Sequence, residues 1–270
     1  MKNYILNNYG ISLEGQVISP DLIVTAVNKV NNYFETHTTN EDIIVFNAML
    51  EGGALSSTIG SLFNSHFESL SDGSLIRNPV KGGNPDVLNL GPDEAKKKYE
   101  YYTSTFGNNV TVWDPKVFGY INKYPYGGIE TKCTSINKPP KTMKNCHIAF
   151  GWGDQRIKYN KSFGWSAHHN DNDNLCGIVW DFVSGLPTIV AVMYSDELLK
   201  EDWGKPHKTE GNKSTNGFGL NKDGIDKMKK GWLCILDDPD YTNAFNFQFR
   251  ENGVVMKPVV NRWQREIELW

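Results

Sequence analysis

Two apolar segments separated by a short turn constrain the fold of this chain more than any other feature of its sequence. Residues 175–183 read LCGIVWDFV and residues 187–195 read PTIVAVMYS, with Ser184 and Gly185 at the turn between them. Runs rich in Val, Ile, Trp and Phe on both sides of a glycine-containing turn predict a β-hairpin. Asp181 is its only charged residue, so we expect the hairpin to supply core strands of a central sheet.

Helical patterns precede this hairpin. Ser19 and Pro20 have the residue types of an N-cap and a first helical position, and apolar residues then recur at helical spacing. The pattern predicts an amphipathic helix over residues 20–36. A second helix, capped by Asn40, is predicted from about Glu41 toward Leu70.

The chain as a whole is predicted to be α/β, with a central mixed β-sheet flanked by helices. The sequence contains no internal repeat and no obvious linker, which favours a single domain over residues 1–270. Its N-terminal part, about residues 1–70, is expected to be helical. Polar loops inserted in the core would contact a ligand.

Composition excludes several classes of protein. Hydrophobic residues make up 39% and charged residues 22% of the 270 residues, as in ordinary globular proteins. No apolar run approaches 18 residues, and the N-terminus lacks a continuous apolar segment. We therefore expect a cytoplasmic protein that neither spans a membrane nor is secreted. The four cysteines have no zinc-binding spacing and are interpreted as reduced thiols.

The segment Gly128-Ile-Glu-Thr-Lys-Cys133 carries an acid and a lysine two residues apart. On a β-strand, alternation puts Glu130 and Lys132 on one face and Ile129, Thr131 and Cys133 on the other. The face with Glu130 and Lys132 could then form a catalytic site, while the other face packs into the core.

A second carboxylate is predicted on a neighbouring strand. The segment LIRNPV, a Gly-Gly turn and the segment PDVLNL predict a hairpin whose second strand starts with Asp86. Two carboxylates and an ammonium group can hold Mg²⁺ against a phosphate. Glu94 and Lys96 have the same spacing as Glu130 and Lys132 but lie in a helix-prone segment, where their side chains diverge.

Pro85, Asp86, Glu130 and Lys132 together resemble the motif of the PD-(D/E)xK nuclease superfamily, and within it the type II restriction endonucleases. The resemblance implies a restriction-endonuclease-like core in which Asp86 and Glu130 bind one or two Mg²⁺ ions. Lys132 would orient or deprotonate the attacking water, or neutralise the phosphate. In many relatives a helix before the Asp-bearing strand presents a further glutamate to the metal, and Glu51 would take that position.

Glu68 is the alternative to Glu51 as the third acid. His168 and His169, with Asp171 and Asp173, also permit a Zn²⁺ or Mn²⁺ site, because imidazoles and carboxylates bind these ions.

Basic residues cluster directly after the proposed catalytic strand. Residues 131–169 contain seven lysines and arginines and a single acid, Asp154. Such a window suits phosphate contacts, although a solvated charged loop has the same composition. The predicted DNA-binding residues are Lys138, Lys141, Lys144, Arg156, Lys158, Lys161, His168 and His169.

The function expected from this resemblance is Mg²⁺-dependent, sequence-specific cleavage of double-stranded DNA by a homodimer. A structure-selective, repair or phage nuclease with the same site is one alternative. A noncatalytic domain that binds nucleic acid or carbohydrate is another, since eight tryptophans provide stacking surfaces.

Overall fold

The computed structural model describes residues 1–37, 52–109, 113–135, 164–167, 173–208, 216–242, 250–251 and 254–255. The strands are β1 (Tyr4–Leu6), β2 (Ile11–Leu13), β3 (Gln16–Ile18), β4 (Leu75–Arg77), β5 (Val87–Asn89), β6 (Gly128–Ser135), β7 (Ser166–Ala167), β8 (Leu175–Val183), β9 (Leu186–Ser195), β10 (His207–Lys208), β11 (Asn216–Gly219), β12 (Trp232–Leu236), β13 (Arg250–Glu251) and β14 (Val254–Val255). The helices are α1 (Pro20–His37), α2 (Gly52–Leu70), α3 (Asp93–Phe106), α4 (Pro115–Asn122) and α5 (Lys222–Lys230), with a 3₁₀ turn over Lys200–Asp202.

A seven-stranded mixed sheet forms the centre of the molecule, with strands in the order β1-β12-β9-β8-β6-β5-β4. The neighbouring strands β6 and β8 are parallel, whereas the other neighbours in this sheet are antiparallel. Parallel neighbours need a long crossover connection, which the chain between Ser135 and Leu175 provides. The predicted α/β class, with a central mixed sheet flanked by helices, is confirmed.

The hairpin predicted from the apolar runs is β8 and β9. Val183 pairs with Leu186 across a two-residue turn, and Ser184 and Gly185 both have positive φ, 54° and 82°. Two positive φ values fit the right-handed twist of the flanking strands. Nearly every residue of both strands is buried, because each face of the sheet is covered.

The two faces are covered by different elements. On one face, α1 and α2 contribute apolar side chains such as Val27, Phe34 and Phe63 to the main core. On the other face, Trp165 and Met228 pack against strand residues. The small sheet β10-β11-β7 and helix α5 belong to this second layer. Side chains on alternate faces of the central strands therefore pack against different layers.

Two parts of the chain differ from what local sequence patterns suggest. The first 18 residues, grouped above with a helical N-terminal part, form three short strands, and β1 pairs with β12 at the sheet edge. Residues 115–122 form α4, although this segment is rich in the β-branched and aromatic residues that are common in strands. Asp114 caps this helix by accepting from the Lys116 backbone N–H at 2.8 Å, and Pro115 starts it. The helix predicted from about Glu41 toward Leu70 ends at Leu70 as α2, and its predicted start lies outside the described residues.

Cys133, Cys176 and Cys234 are free thiols, and Cys146 lies outside the described residues. In the part of the chain that the structure describes, no helix is both long and apolar enough to cross a membrane.

Candidate functional site

Strands β5 and β6 bring the two sequence motifs together. They are antiparallel neighbours in which Val87 pairs with Ile129 and Leu88 with Gly128. Continuing that register by one residue puts Asp86, immediately before β5, opposite Glu130. The structure thus joins two acids that are far apart in the sequence.

The alternation predicted for β6 is observed. Ile129 belongs to the core under α1 and α2, and Cys133 packs against the same cluster. The Thr131 hydroxyl donates to Oδ1 of Asn64 on α2 at 2.8 Å. Glu130 and Lys132 project from the opposite face, where α1 and α2 are absent.

Asp86, Glu130 and Lys132, called here the charged triad, converge at one point. Lys132 Nζ lies 2.5 Å from Glu130 Oε1 and 3.3 Å from Asp86 Oδ2. The Asp86 backbone N–H donates to Glu130 Oε2 at 3.2 Å, and the Thr131 backbone N–H donates to Asp86 Oδ2 at 2.9 Å. These bonds fix both carboxylates relative to the edge of β6.

Gly128 permits this close approach of the two strands. Its φ is 152°, and a Cβ atom there would lie 2.1 Å from the Val87 carbonyl oxygen and 2.6 Å from Pro85 Cγ. Real Cβ contacts are not that short, so only glycine allows β6 to approach the segment that carries Asp86.

Burial and charge act in opposite directions on Glu130. Its side chain is 7% exposed, and burial raises the pKa of this carboxyl group. The neighbouring Asp86 charge raises the pKa further, while Lys132 lowers it, and the net effect is a raised pKa. Glu130 therefore depends on a nearby cation to remain ionised.

The same triad holds Lys132 in its charged form. Burial alone would lower the pKa of Lys132, but Asp86 and Glu130 outweigh burial and raise it. On the next strand, Gly177 pairs with Lys132. The Trp165 ring packs over Gly177, at 2.5 Å from the position of an added Cβ.

A cleft of about 310 Å³ opens beside the charged triad. Glu130 forms part of its wall, and the other lining residues are Gly82, Asn84, Pro85, Asn122, Lys123, Tyr124, Gly127, Gly128, Asp173 and Asn174. The cleft is polar, and three asparagines and two carboxylates line it. A substrate that reaches Glu130 can therefore occupy this space.

Asp173 and Asn174 enter the site through the parallel pairing of β6 with β8. The Glu130 backbone N–H donates to the Asn174 carbonyl at 3.0 Å. The Asn174 side chain accepts from the Tyr194 hydroxyl at 2.5 Å. The sequence indicated Asp173 only as part of a Zn²⁺ or Mn²⁺ site, and its position directly before the apolar strand was the available signal for its place here.

Several residues proposed from sequence lie outside the described residues. They are Glu51, Lys138, Lys141, Lys144, Arg156, Lys158, Lys161, His168, His169 and Asp171. Glu68, the alternative third acid, forms a 2.7 Å ion pair with Arg77 of β4. Glu94 and Lys96 lie on α3, as their helix-prone context predicted.

The donor set of the triad suits a hard cation with few protein ligands. Within the ranges that the structure describes, no group of three or more His, Cys, Asp or Glu residues could hold a metal ion. Asp86 and Glu130 supply two carboxylates. Mg²⁺ is usually bound by one or two carboxylates, with water and substrate phosphate completing its coordination. The residues present therefore fit Mg²⁺ better than zinc.

A scan against protein-family models finds no match, and searches of curated proteins and of solved structures find no significant similarity. The geometry of the site is therefore the basis for inferring function.

Proposed function

We propose that this protein is a Mg²⁺-dependent endonuclease that cleaves double-stranded DNA at specific sequences, in the manner of type II restriction enzymes. The observation that carries the proposal is the convergence of Asp86, Glu130 and Lys132 across the adjacent strands β5 and β6. Two acids and a lysine in this arrangement are suited to hydrolysis of a phosphodiester.

The arrangement of elements around the triad supports a restriction-endonuclease-like core. Helix α2 precedes the antiparallel strands β4, β5 and β6, and β8 follows in parallel to β6. Asp86 and Glu130 both lie at this group of strands. The sheet therefore holds the reacting groups on rigid elements, as a site with defined geometry requires.

The carboxylates and the lysine of the triad have different chemical roles. Asp86 and Glu130 would hold Mg²⁺ through their carboxylate oxygens. When bound, Mg²⁺ supplies positive charge that stabilises the developing negative charge on the phosphate and promotes ionisation of a water. Lys132 would release its carboxylate partners and donate hydrogen bonds to a phosphate oxygen. Its raised pKa favours the ammonium form for this role over the role of general base.

Double-strand cleavage at a two-fold symmetric target requires two active sites. Each chain contains one charged triad, so we propose that the protein acts as a homodimer on such a target.

Incubation of the protein with several unrelated plasmids and Mg²⁺ tests this proposal. We expect discrete, reproducible fragments that disappear with EDTA, and a loss of rate of about 100-fold or more in Asp86→Asn, Glu130→Gln and Lys132→Ala. Glu94→Gln and Lys96→Ala are the matched controls, because this exposed pair has the same sequence spacing on α3.

The outcomes separate the alternatives. A smear or cleavage only at branched DNA would indicate a nuclease with a different selectivity. Tight binding without Mg²⁺-dependent cleavage would indicate a noncatalytic domain. Full Mg²⁺-dependent activity in Lys132→Ala would refute the assignment of the triad.

A further inference from the structure

The two sides of the cleft beside the triad differ in charge. Glu130 and Asp173 contribute carboxylates on the side that adjoins β8, where the Glu130 N–H contacts the Asn174 carbonyl. Lys123 is the cation among the described lining residues. It belongs to the other side, where it pairs with Asn84 in a parallel bridge. A cation would therefore bind on the side of Glu130 and Asp173, and an anion on the side of Lys123.

The Lys123 side is held in place through its backbone. The Asn84 N–H donates to the Asn122 carbonyl at 2.9 Å, and the Tyr124 N–H donates to the Asn84 carbonyl at 3.2 Å. These bonds connect the end of α4 to the segment that leads directly to Asp86. The position of Lys123 relative to the triad is therefore set by main-chain pairing.

Polar side chains on this side have no partner among the described residues. Lys123 is exposed and forms no ion pair there, and the side-chain amides of Asn84 and Asn122 make no hydrogen bond there. By contrast, the Asn174 side chain on the opposite side is already bonded to Tyr194. One ammonium and two amide groups are therefore available as donors to a ligand.

We propose that Lys123, with Asn84 and Asn122, binds the phosphate next to the scissile phosphate in a nucleic-acid strand. The inference rests on the proposed function and makes the substrate a polymer, not a phosphate monoester. A nucleic-acid strand carries one phosphate per nucleotide, about 3.4 Å apart along the helix axis. Glu130 and Lys123 line the same cleft, so a strand whose scissile phosphate lies at Glu130 would place a neighbouring phosphate toward the Lys123 side, which has the complementary charge.

Salt dependence of binding tests the phosphate contact without requiring cleavage. We compare the wild-type protein, Lys123→Ala and Lys116→Ala for binding to a fluorescent duplex, with Ca²⁺ in place of Mg²⁺. Lys116 is an exposed lysine of α4, the helix that ends directly before Lys123, and it lies outside the cleft. Lys123→Ala should weaken binding about tenfold and reduce the slope of log K against log salt by about one. Lys116→Ala should change neither.

Uncharged phosphate analogues then test which phosphate is bound. Cleavage is measured on duplexes with a single methylphosphonate at each position flanking the cut. We expect one flanking position to slow wild-type cleavage about tenfold and to have no further effect in Lys123→Ala. Equal sensitivity of both proteins at every position, or equal salt slopes for all three proteins, would overturn the inference.

The experiments distinguish failure of the proposed nuclease function from failure of the Lys123 phosphate contact. A wild-type protein that binds duplex DNA with a Lys123-dependent salt slope but cleaves nothing with Mg²⁺ would overturn the nuclease assignment and retain the phosphate contact. A protein that cleaves DNA with no contribution from Lys123 would retain the nuclease assignment and overturn this inference.

Discussion

Replacing Gly128 with alanine is expected to abolish Mg²⁺-dependent cleavage and to destabilise the fold by about 2–5 kcal/mol. The added Cβ would lie 2.1 Å from the Val87 carbonyl oxygen and 2.6 Å from Pro85 Cγ. Its φ of 152° is also rarely adopted by residues with a side chain. Strand β6 must therefore move away from the segment that carries Asp86, which separates the two carboxylates.

Two other glycines provide graded controls for Gly128→Ala. Gly119 lies within α4 with open space around its Cβ position, so Gly119→Ala should keep full activity and stabilise the protein by up to about 1 kcal/mol. Gly127 also has open space but a φ of 68°, so Gly127→Ala should cost about 1 kcal/mol through backbone strain alone. Urea denaturation and initial cleavage rates measure both effects. A Gly128→Ala protein with the wild-type cleavage rate would contradict the predicted displacement of β6.

The strand settings of Asp86 and Glu130 could be predicted because their signals are local. Alternation along β6 separates Glu130 from Thr131, and the apolar residues after Asp86 identify a strand. Each signal depends on only a few neighbouring residues. The pairing of the two segments was implied by the motif resemblance, and the structure places them on neighbouring antiparallel strands.

Helix α4 shows how local composition can mislead. Residues 116–121, KVFGYI, contain the β-branched and aromatic residues that are common in strands. The cap at Asp114 and the proline at position 115 favour a helix, and these end signals prevail. The apolar residue Ile121 is buried against the aromatic cluster next to α3. Packing and capping together outweigh strand propensity here.

Contacts between distant parts of the chain could not be predicted from local patterns. Strand β1 has only three residues, and it is a strand because it pairs with β12 near the other end of the chain. Asp173 and Lys123 share a cleft because β8 is parallel to β6 and because Lys123 is paired with Asn84. Neither contact leaves a periodic signal in the sequence. The charged triad was therefore accessible from sequence, whereas the cleft beside it was not.

Replacing Lys132 with methionine is expected to abolish cleavage and to destabilise the protein by an amount that grows with pH. The change leaves Asp86 and the buried Glu130 carboxylate together without their cation. Removing one partner of a buried ion pair is strongly destabilising, and the partial exposure of Lys132, 21%, limits the expected loss to about 2 kcal/mol near pH 8.

The sign of this pH dependence follows from the pKa of Glu130. Burial and Asp86 already raise that pKa, and Lys132 is the group that lowers it. Lys132→Met should therefore raise the pKa of Glu130 further above its unfolded value. A carboxyl group with a raised folded pKa favours the folded state below its unfolded pKa and loses that contribution as pH rises through its folded pKa. The free-energy deficit relative to wild type should accordingly be small near pH 4 and increase toward pH 8.

The double variant Glu130→Gln, Lys132→Met separates charge from packing. Because it lacks both charges, the double variant should regain most of the stability that Lys132→Met loses. Its remaining deficit relative to wild type should not depend on pH. Its cleavage activity should remain absent, because Glu130 and Lys132 are both proposed to act in catalysis. Urea denaturation at pH 5 and pH 8 measures the stabilities. A deficit of Lys132→Met that has the same size at pH 5 and pH 8 would contradict the predicted dependence of Glu130 on the Lys132 charge.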